Sequence, residues 1–382
     1  MSALAAALAV AIAAGVLLEL AARAWLARRG GYYVWAPFTR LRMELDRESL
    51  PGLEPETRFE VNAEGERGDP LPGERRGLYR VLVAGGSAAE CYFLDQASAW
   101  PGVLQGLLNE PAALSRLDAE RVHVGNIARS LAPCEAIHLV LRRVLPRYER
   151  LDLVLLMVGM SDVVNWLEQR TPPALAEGRI DLATTFAEQP EGPFGWTTER
   201  LALRRVASRL WRRLHRPVQV RRRAGQRFVR LRRMRQQARE LIDEVPDPAP
   251  LLAHFEKHLR RVVEEARSHG ARVVVVRQPW FCKEFSPEEQ ARLWNFAVGR
   301  PYREETTSYY THRIVWDLAR RVDARAAAIA RELAVEELDL MPHLEPSFAN
   351  FYDELHFTPR GARVVAEVIA RHLLAKPHVD SG

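Results

Sequence analysis

The chain has 382 residues, of which 47% are hydrophobic, enough for one large domain or two small ones with a sizeable core. This composition excludes a disordered protein. The formal net charge is +6, but nearly all the basicity is arginine, so charge alone names no anionic partner. Cys91, Cys134 and Cys282 are three cysteines at wide spacings, which fits neither a disulfide framework nor a zinc site.

The N-terminal segment is almost wholly apolar from residue 3 to residue 26, interrupted only by Glu19 and Arg23. Because about 20 apolar residues are needed to cross a bilayer, we interpret residues 1–27 as a membrane anchor. Two alternatives stay open. Glu19 and Arg23 share a helix face, as in a packing helix, and the segment could be a cleaved signal peptide.

Residues 28–78 are rich in Pro, Gly, Glu and Arg, and we interpret them as a connector or stalk. The connector contains one extended piece, Thr57 to Asn62, which could be an edge strand. Beyond it, apolar β-branched runs alternate with helical patterns, which predicts an α/β fold with a parallel sheet covered by helices. The four runs are Tyr79 to Ala84, Val122 to Asn126, Leu151 to Val158 and Ala271 to Arg277. The last two are apolar nearly throughout, as expected of central strands buried on both faces.

An insertion interrupts this pattern at residues 163–269 and rejoins a core helix near residue 250. The core itself is predicted at 79–162 and 270–376. Within the insertion, apolar residues recur near helical spacing among many arginines from Arg200 to Arg239, which predicts two basic amphipathic helices. Their arginines form either a solvated face or a surface for anionic lipid headgroups or an acidic polymer.

Polar residues stand where the predicted strands end, which is where open parallel sheets gather functional groups. Ser87 follows the first strand, and Asp353 and His356 lie on the loop before the last helix, whose N-cap is Thr358. A serine hydroxyl needs an imidazole to take its proton and a carboxylate to orient that imidazole. These three residues are therefore the candidate catalytic triad.

The chain here resembles the SGNH, or GDSL-type, hydrolase superfamily, over about residues 78–165 and 270–375. The first block of that family places a nucleophilic serine after a strand and a glycine, which implies Ser87; its usual preceding aspartate is Gly86 in this chain. The last block is an aspartate and a histidine two residues apart, which implies Asp353 and His356. The resemblance implies a flavodoxin-like three-layer α/β/α architecture.

Two further blocks concern the oxyanion hole, which stabilises negative charge on the tetrahedral intermediate. The Gly-x-Asn-Asp block is Gly159-Met160-Ser161-Asp162, so a hydroxyl replaces the amide donor at Ser161. Alignment on Asn126 puts Leu131 where the family commonly has a glycine whose N–H faces the oxyanion. The resemblance thus implies an oxyanion hole of Ser87, Ser161 and Leu131, supported by the residues Gly86, Asn126, Gly159 and Asp162.

Residues 58–68 resemble the extended lead-in of bacterial membrane-anchored SGNH proteins, some of which remove or transfer acetyl groups on envelope sugars. The resemblance implies a serine esterase in the cytoplasmic membrane, with an extracytoplasmic catalytic domain and an acyl ester substrate for which a polysaccharide is one candidate. The few arginines after the anchor would instead place that side in the cytoplasm. An O-acyltransferase and a non-catalytic envelope protein of the same fold stay open as alternatives.

Other function classes lack their motifs. The nucleophile elbow Gly-x-Ser-x-Gly of α/β-hydrolases does not occur around Ser87, and no His-Glu-x-x-His motif is present. We therefore expect no metal and no cofactor. No nucleic-acid-binding motif accompanies the basic charge, so we expect no nucleic-acid partner. The sequence does not indicate an oligomeric state.

Overall fold

The structure is a computed structural model, and it describes residues 3–28, 31–178, 180–190 and 201–375. The outermost residues of the predicted anchor and core, 1–2 and 376, lie outside this range. The strands are β1 (Arg40–Leu45), β2 (Glu56–Glu60), β3 (Leu78–Gly85), β4 (Arg121–Asn126), β5 (Leu153–Val158), β6 (Val218–Ala224), β7 (Glu240–Ile242), β8 (Arg272–Arg277), β9 (Ser308–Tyr310) and β10 (Glu336–Asp339).

The helices are α1 (Ala3–Arg28), α2 (Ser87–Glu90), α3 (Trp100–Leu108), α4 (Pro111–Arg116), α5 (Cys134–Val144), α6 (Met160–Glu168), α7 (Leu182–Thr185), α8 (Ala202–His215), α9 (Arg227–Gln236), α10 (Ala249–Ser268), α11 (Pro287–Gln290), α12 (His312–Glu332) and α13 (Pro359–Ala375). Two short 3-10 turns lie at Leu145–Arg147 and Met341–His343.

The core is a five-stranded parallel sheet in the order β10-β8-β5-β3-β4. Along β5, Val154 and Leu156 face one hydrophobic cluster, and Leu153 and Leu155 face the other. Both faces of the strand are covered, which is why its sequence is a continuous apolar run. The first cluster contains residues of α5, α6, α10 and α12, and the second contains residues of α3 and α13. The predicted three-layer α/β/α architecture is confirmed.

The segment before β3 differs from the predicted connector. Instead of forming a stalk, β1 pairs antiparallel with β2 and parallel with β6 of the insertion, in a second, three-stranded sheet. Met43 and Phe59 of this sheet are fully buried. Their burial explains the difference, because the alternating apolar residues of β1 and β2 face a small core of their own.

A buried carboxylate, Glu66, attaches the lead-in to the main sheet. It accepts hydrogen bonds from the Tyr148 hydroxyl at 2.6 Å and from Arg80 at 3.1 Å, and it lies 3.1 Å from His123 Nε2. Burial raises the pKa of Glu66, but the His123 hydrogen bond and the Arg80 charge outweigh it and lower that pKa to about 2. A Cβ on Gly125 would lie 2.4 Å from the carboxyl group, so β4 needs a glycine there.

The helix α1 is, by length and composition, apolar enough over Ala3–Leu26 to cross a membrane, a test that signal sequences also pass. Its only buried side chains in the described residues are Glu19, Ala22, Arg23 and Leu26, one stripe that packs on α8. Glu19 accepts hydrogen bonds from the N–H groups of Ala202 and Leu203 at 2.8 and 2.9 Å. The carboxylate therefore caps the first turn of α8.

Candidate active site

The carboxyl end of β3 presents Ser87. The strand ends at Gly85, and Ser87 is the first residue of the short helix α2. A Cβ on Gly85 would lie 2.3 Å from the Met157 carbonyl oxygen of the neighbouring strand, so the close approach of β3 and β5 requires glycine. The chain turns into the helix immediately afterwards. This turn directs Ser87 towards the loop that precedes α13.

That loop brings an imidazole and a carboxylate to the serine. Nε2 of His356 lies 2.7 Å from Ser87 Oγ, and Nδ1 lies 2.8 Å from each oxygen of Asp353. Thr358 Oγ1 accepts from the Gly361 N–H at 3.2 Å, which fixes where the loop ends and α13 begins. The structure thus brings the three predicted triad residues together, 269 residues apart in the chain between serine and histidine.

Asp353 is fully buried and multiply bonded. Its Oδ1 accepts from the backbone N–H groups of Leu355 and His356 at 2.9 and 3.0 Å, and its Oδ2 accepts from Trp294 Nε1 at 3.1 Å. Burial lowers the pKa of His356, but the charge of Asp353 and its hydrogen bond outweigh burial, so that pKa is raised above its ordinary value. The ring is also stacked on Tyr352, with centroids 5.4 Å apart.

The neighbouring carboxylate, Glu354, holds the loop that carries Trp294. It is fully buried and accepts from the N–H groups of Trp294 and Asn295 at 3.1 and 3.0 Å and from Asn295 Nδ2 at 2.7 Å. Burial raises its pKa, but His312 and Arg235 lower it to about 2. Sequence reasoning missed Glu354 and Trp294 because they lie 60 residues apart.

The predicted oxyanion residues line the same cavity as Ser87. Ser87 opens a helix, so its N–H has no helical acceptor. Leu131 adopts a φ of 61°, the left-handed conformation that a glycine would take without strain. Neither the Leu131 N–H nor the Ser161 hydroxyl donates to another described residue.

Gly86 and Ser161 depart from the family pattern together. A Cβ on Gly86 would lie 2.3 Å from Ser161 Oγ, so the glycine leaves the room that this hydroxyl occupies. An aspartate at position 86 would require Ser161 to move.

Three of the predicted supporting residues act within the scaffold. Asn126 donates to the Ala89 carbonyl at 2.8 Å, and its Oδ1 accepts from the Ala128 N–H. Gly159 has a φ of 120°, which a residue with a side chain rarely adopts. Asp162 accepts from the Cys134 N–H at 3.0 Å, and burial raises its pKa to about 7 despite that bond.

Arg67 is a positioning residue that the sequence did not indicate. Its buried guanidinium donates to the carbonyls of Glu90, Cys91 and Leu94 at 2.5, 2.8 and 2.7 Å. These carbonyls follow the helix that Ser87 opens, and a cation at the C-terminal end of a helix stabilises it. Through Arg67, the segment before β3 therefore fixes the end of α2, the helix that begins at Ser87.

The cavity beside Ser87 has a volume of about 170 Å³ and a mainly aromatic and aliphatic lining. Trp294 and Phe296 form one wall, and Phe228 of the insertion helix α9 contributes to another. Besides Ser87, His356 and Ser161, the polar lining includes Ser130, Arg227, Gln278, Asn295 and Glu168, which accepts from the Tyr302 hydroxyl at 2.7 Å. Such a lining is typical of a small-molecule site with a few orienting polar groups.

Comparisons with known proteins give structural neighbours only. No family model matches the chain, and no curated protein matches it in sequence. An acetylxylan esterase from Geobacillus stearothermophilus is 13% identical with a TM-score of 0.41, covering 80% of this chain and 97% of its own. A carbohydrate acetylesterase from Sinorhizobium meliloti is 11% identical with a TM-score of 0.41, over 78% and 99%.

A member of the lipolytic protein G-D-S-L family from Veillonella parvula is 11% identical with a TM-score of 0.40, covering 77% of this chain and 97% of its own. At these identities and TM-scores, the matches identify no substrate for this chain. The parallel sheet and the arrangement of Ser87, His356 and Asp353 agree with the resemblance to the SGNH/GDSL superfamily that the sequence motifs indicate.

Proposed function

We propose that the protein is a serine esterase that cleaves its substrate through an acyl-enzyme on Ser87. One observation carries the proposal: an unbroken hydrogen-bonded chain runs from Ser87 Oγ through His356 to the buried Asp353. Nucleophile, base and orienting carboxylate thus stand within the distances that acyl transfer requires.

In the first half-reaction, Ser87 Oγ attacks the acyl carbonyl carbon while His356 Nε2 takes the hydroxyl proton. Asp353 stabilises the imidazolium that forms and holds Nδ1 as the donor to the carboxylate. Collapse of the tetrahedral intermediate breaks the ester C–O bond, and the proton on Nε2 passes to the departing alcohol. Water then attacks the acyl-enzyme by the same route in reverse and releases the carboxylic acid.

The negative oxygen of the intermediate requires donors on the opposite side of the carbonyl. We assign this role to the N–H groups of Ser87 and Leu131 and to the Ser161 hydroxyl, because all three residues line the cavity. Two of the three donors are backbone groups, so replacement of the family's Asn by Ser161 leaves the hole with a complete backbone set.

The cavity favours a short acyl group. Its volume of about 170 Å³ is below the range of about 300 to 1,000 Å³ typical of ligand pockets, which leaves little room for a long chain. Aromatic walls with a few polar groups also suit a sugar, whose C–H faces pack on rings. We therefore propose an O-acetylated carbohydrate as the substrate class, tested by comparing acetyl, butyryl and octanoyl esters and acetylated oligosaccharides.

The experiment that tests the esterase proposal is labelling of the full chain in detergent with a fluorophosphonate probe. We expect stoichiometric labelling of the wild type and none in Ser87→Ala. Ser115→Ala, an exposed serine on α4, is the matched control and should label like the wild type. Labelling that persists in Ser87→Ala would overturn the proposal, and so would an unlabelled wild type, which would favour a non-catalytic envelope protein.

Acyl transfer is separated from hydrolysis by the acceptor. With a radiolabelled acetyl donor and an envelope polysaccharide present, a hydrolase releases acetate at the same rate as without the polysaccharide. A transferase places the label on the polymer. The mechanism through Ser87 is common to both outcomes.

For location, we propose that α1 is a single-pass anchor in the cytoplasmic membrane, with the catalytic domain on the extracytoplasmic side. The proposal is supported by the exposed apolar side chains from Ala3 to Leu18. Beside its end, α8 exposes Leu210, Trp211 and Leu214 among arginines, a composition suited to an anionic lipid interface. Alkaline phosphatase fused after residue 375 should be active in cells. An inactive phosphatase fusion, together with fluorescence from a fluorescent protein fused at the same position, would place this end in the cytoplasm and contradict the orientation.

A further inference from the structure

A second cluster of reactive side chains lies between α5 and α10, and none of its members lines the cavity beside Ser87. Glu135 is on the first turn of α5, and His254 and His258 are one helical turn apart on α10. Each offers one ligand atom, and these atoms all lie within 4.8 Å of one another. Because i and i+4 residues share a helix face, both imidazoles point at the same neighbour.

The cluster contains buried polar atoms without partners. His258 is 3% exposed, and neither of its ring nitrogens makes a hydrogen bond within the described residues. Nε2 of His254 is buried and also lacks a hydrogen-bond partner there. Buried polar atoms are nearly always hydrogen-bonded, so three such nitrogens in one place require an explanation. A bound ion would account for two of them, one nitrogen on each imidazole.

The distance between His254 and Glu135 suits a tetrahedral metal site. His254 Nε2 and Glu135 Oε2 are 3.4 Å apart, too far for a strong hydrogen bond. Two ligands at about 2.0 to 2.2 Å from one tetrahedral Zn²⁺ lie about 3.3 to 3.6 Å from each other. The other carboxyl oxygen, Oε1, accepts from the Gly178 N–H at 2.8 Å, which orients the carboxylate and leaves Oε2 free.

We propose that Glu135, His254 and His258 bind one divalent transition-metal ion of the Zn²⁺ class. Two imidazoles and one carboxylate select Zn²⁺, Co²⁺ or Ni²⁺ over Mg²⁺ and Ca²⁺, which prefer all-oxygen sites. The sequence motifs do not indicate this set, because its members come from two helices that are over 100 residues apart.

The ion would join α5, α10 and the loop after α6 at a single point. Glu135 brings α5, the two histidines bring α10, and the Gly178 N–H brings the loop. The adjacent Cys134 N–H donates to Asp162, the neighbour of Ser161 in the chain. The site is thus connected to Ser161 through Cys134 and Asp162. The ion would stabilise the packing of these segments and take no part in the reaction.

The test is titration of the chelator-treated full chain in detergent, without an affinity tag, with Zn²⁺ by calorimetry and with Co²⁺ by visible absorption. We expect about one equivalent of saturable Zn²⁺, a rise in melting temperature on binding, and the intense Co²⁺ bands of a tetrahedral site. Mg²⁺ and Ca²⁺ should give none of these signals.

His254→Gln and Glu135→Gln should each weaken Zn²⁺ binding at least about tenfold and abolish the Co²⁺ bands. His343→Gln, an exposed imidazole outside the cluster, should bind like the wild type. Wild-type protein that shows no saturable Zn²⁺ binding would overturn the proposal without any variant. Binding that stays unchanged in both cluster variants would overturn it as well. Neither readout depends on esterase activity.

Discussion

The two sides of Ser87 are built by opposite means. On the base side, the Asp353 carboxylate is buried and accepts from two backbone N–H groups, the Trp294 indole and His356. On the oxyanion side, Ser161 donates to no other described residue, and Leu131 is 44% exposed in a left-handed conformation. On the base side the reacting group is held by a network of hydrogen bonds to a buried charge, whereas two of the three donors proposed for the oxyanion side are backbone N–H groups.

This difference explains which side tolerates a change of residue type. A network of charged hydrogen bonds loses several partners when one member changes, so each position admits only one chemistry. A backbone N–H remains in place whatever side chain is attached. In this chain the base side has Asp353 and His356, and the other side has Leu131 and Ser161 where the sequence resemblance implies a glycine and an asparagine.

The largest effect should come from Asp353→Asn. An amide offers one acceptor oxygen and cannot hold His356 in the tautomer that accepts the Ser87 proton, so kcat should fall about 10⁴-fold. Steady-state hydrolysis of an acetyl ester measures this, and circular dichroism checks the fold. Asp118→Asn, on an exposed turn, is the control. A folded Asp353→Asn protein with near-normal kcat would show that His356 does not need the Asp353 carboxylate to accept the Ser87 proton.

Ser161→Ala should have a smaller effect. Loss of one oxyanion donor lowers kcat about 10² to 10³-fold, and the two backbone donors keep the variant in the lower part of that range. KM should change little, because the hydroxyl acts on charge that develops in the transition state. If kcat is unaffected, the backbone alone forms the oxyanion hole and Ser161 only fills the space beside Gly86.

The pH profile tests the electrostatics of the base side. His356 must be neutral to take the Ser87 proton, and its pKa is raised by Asp353 above the ordinary value near 6.5. The quantity kcat/KM should therefore be lost as the pH falls through a midpoint above 6.5. In Asp353→Asn the midpoint should move to lower pH, since the charge that raised the pKa is gone. A midpoint that does not move would assign the profile to another group.

The smallest effect belongs to Leu131→Gly. Glycine adopts a φ of 61° without the strain of about 1 kcal/mol that a leucine carries there. We expect kcat within about threefold of the wild type and an unchanged or higher melting temperature, because the N–H donor stays. Leu131→Ala, which keeps the strain, is the control. A large loss of kcat in the glycine variant would mean that the exposed side chain contacts substrate.

Most of the central sheet could be predicted from the sequence because β3, β4, β5 and β8 are apolar runs of strand length. The edge strand β10 could not, since its residues Glu336 to Asp339 are mostly acidic. Its side chains are satisfied by ion pairs with the adjacent β8, such as Glu336 with Arg272 at 2.6 Å. A strand stabilised by tertiary partners leaves no periodic signal.

The triad residues were accessible to sequence reasoning because each stands in a short local motif. Trp294, Glu354 and Arg67 were not, because each acts on a residue distant in the chain and has an ordinary local context. The exposed, arginine-rich β6 gave no strand signal either, since its pairing with β1 lies across two separate parts of the sequence. A short motif indicates the residues that react, but it does not indicate the distant residues that hold them in place.

The anchoring of the lead-in through Glu66 and Arg67 bears on how the chain could be divided. Residues 69–77, which join it to β3, lie mostly at the surface. A protease cut within this segment would leave the two fragments joined by buried hydrogen bonds to Arg80, Tyr148 and the carbonyls after α2. Two polypeptides that are produced separately and divided here should reassemble into one active protein. Ser87 and the residues Glu66 and Arg67 that support its surroundings therefore need not belong to one continuous chain.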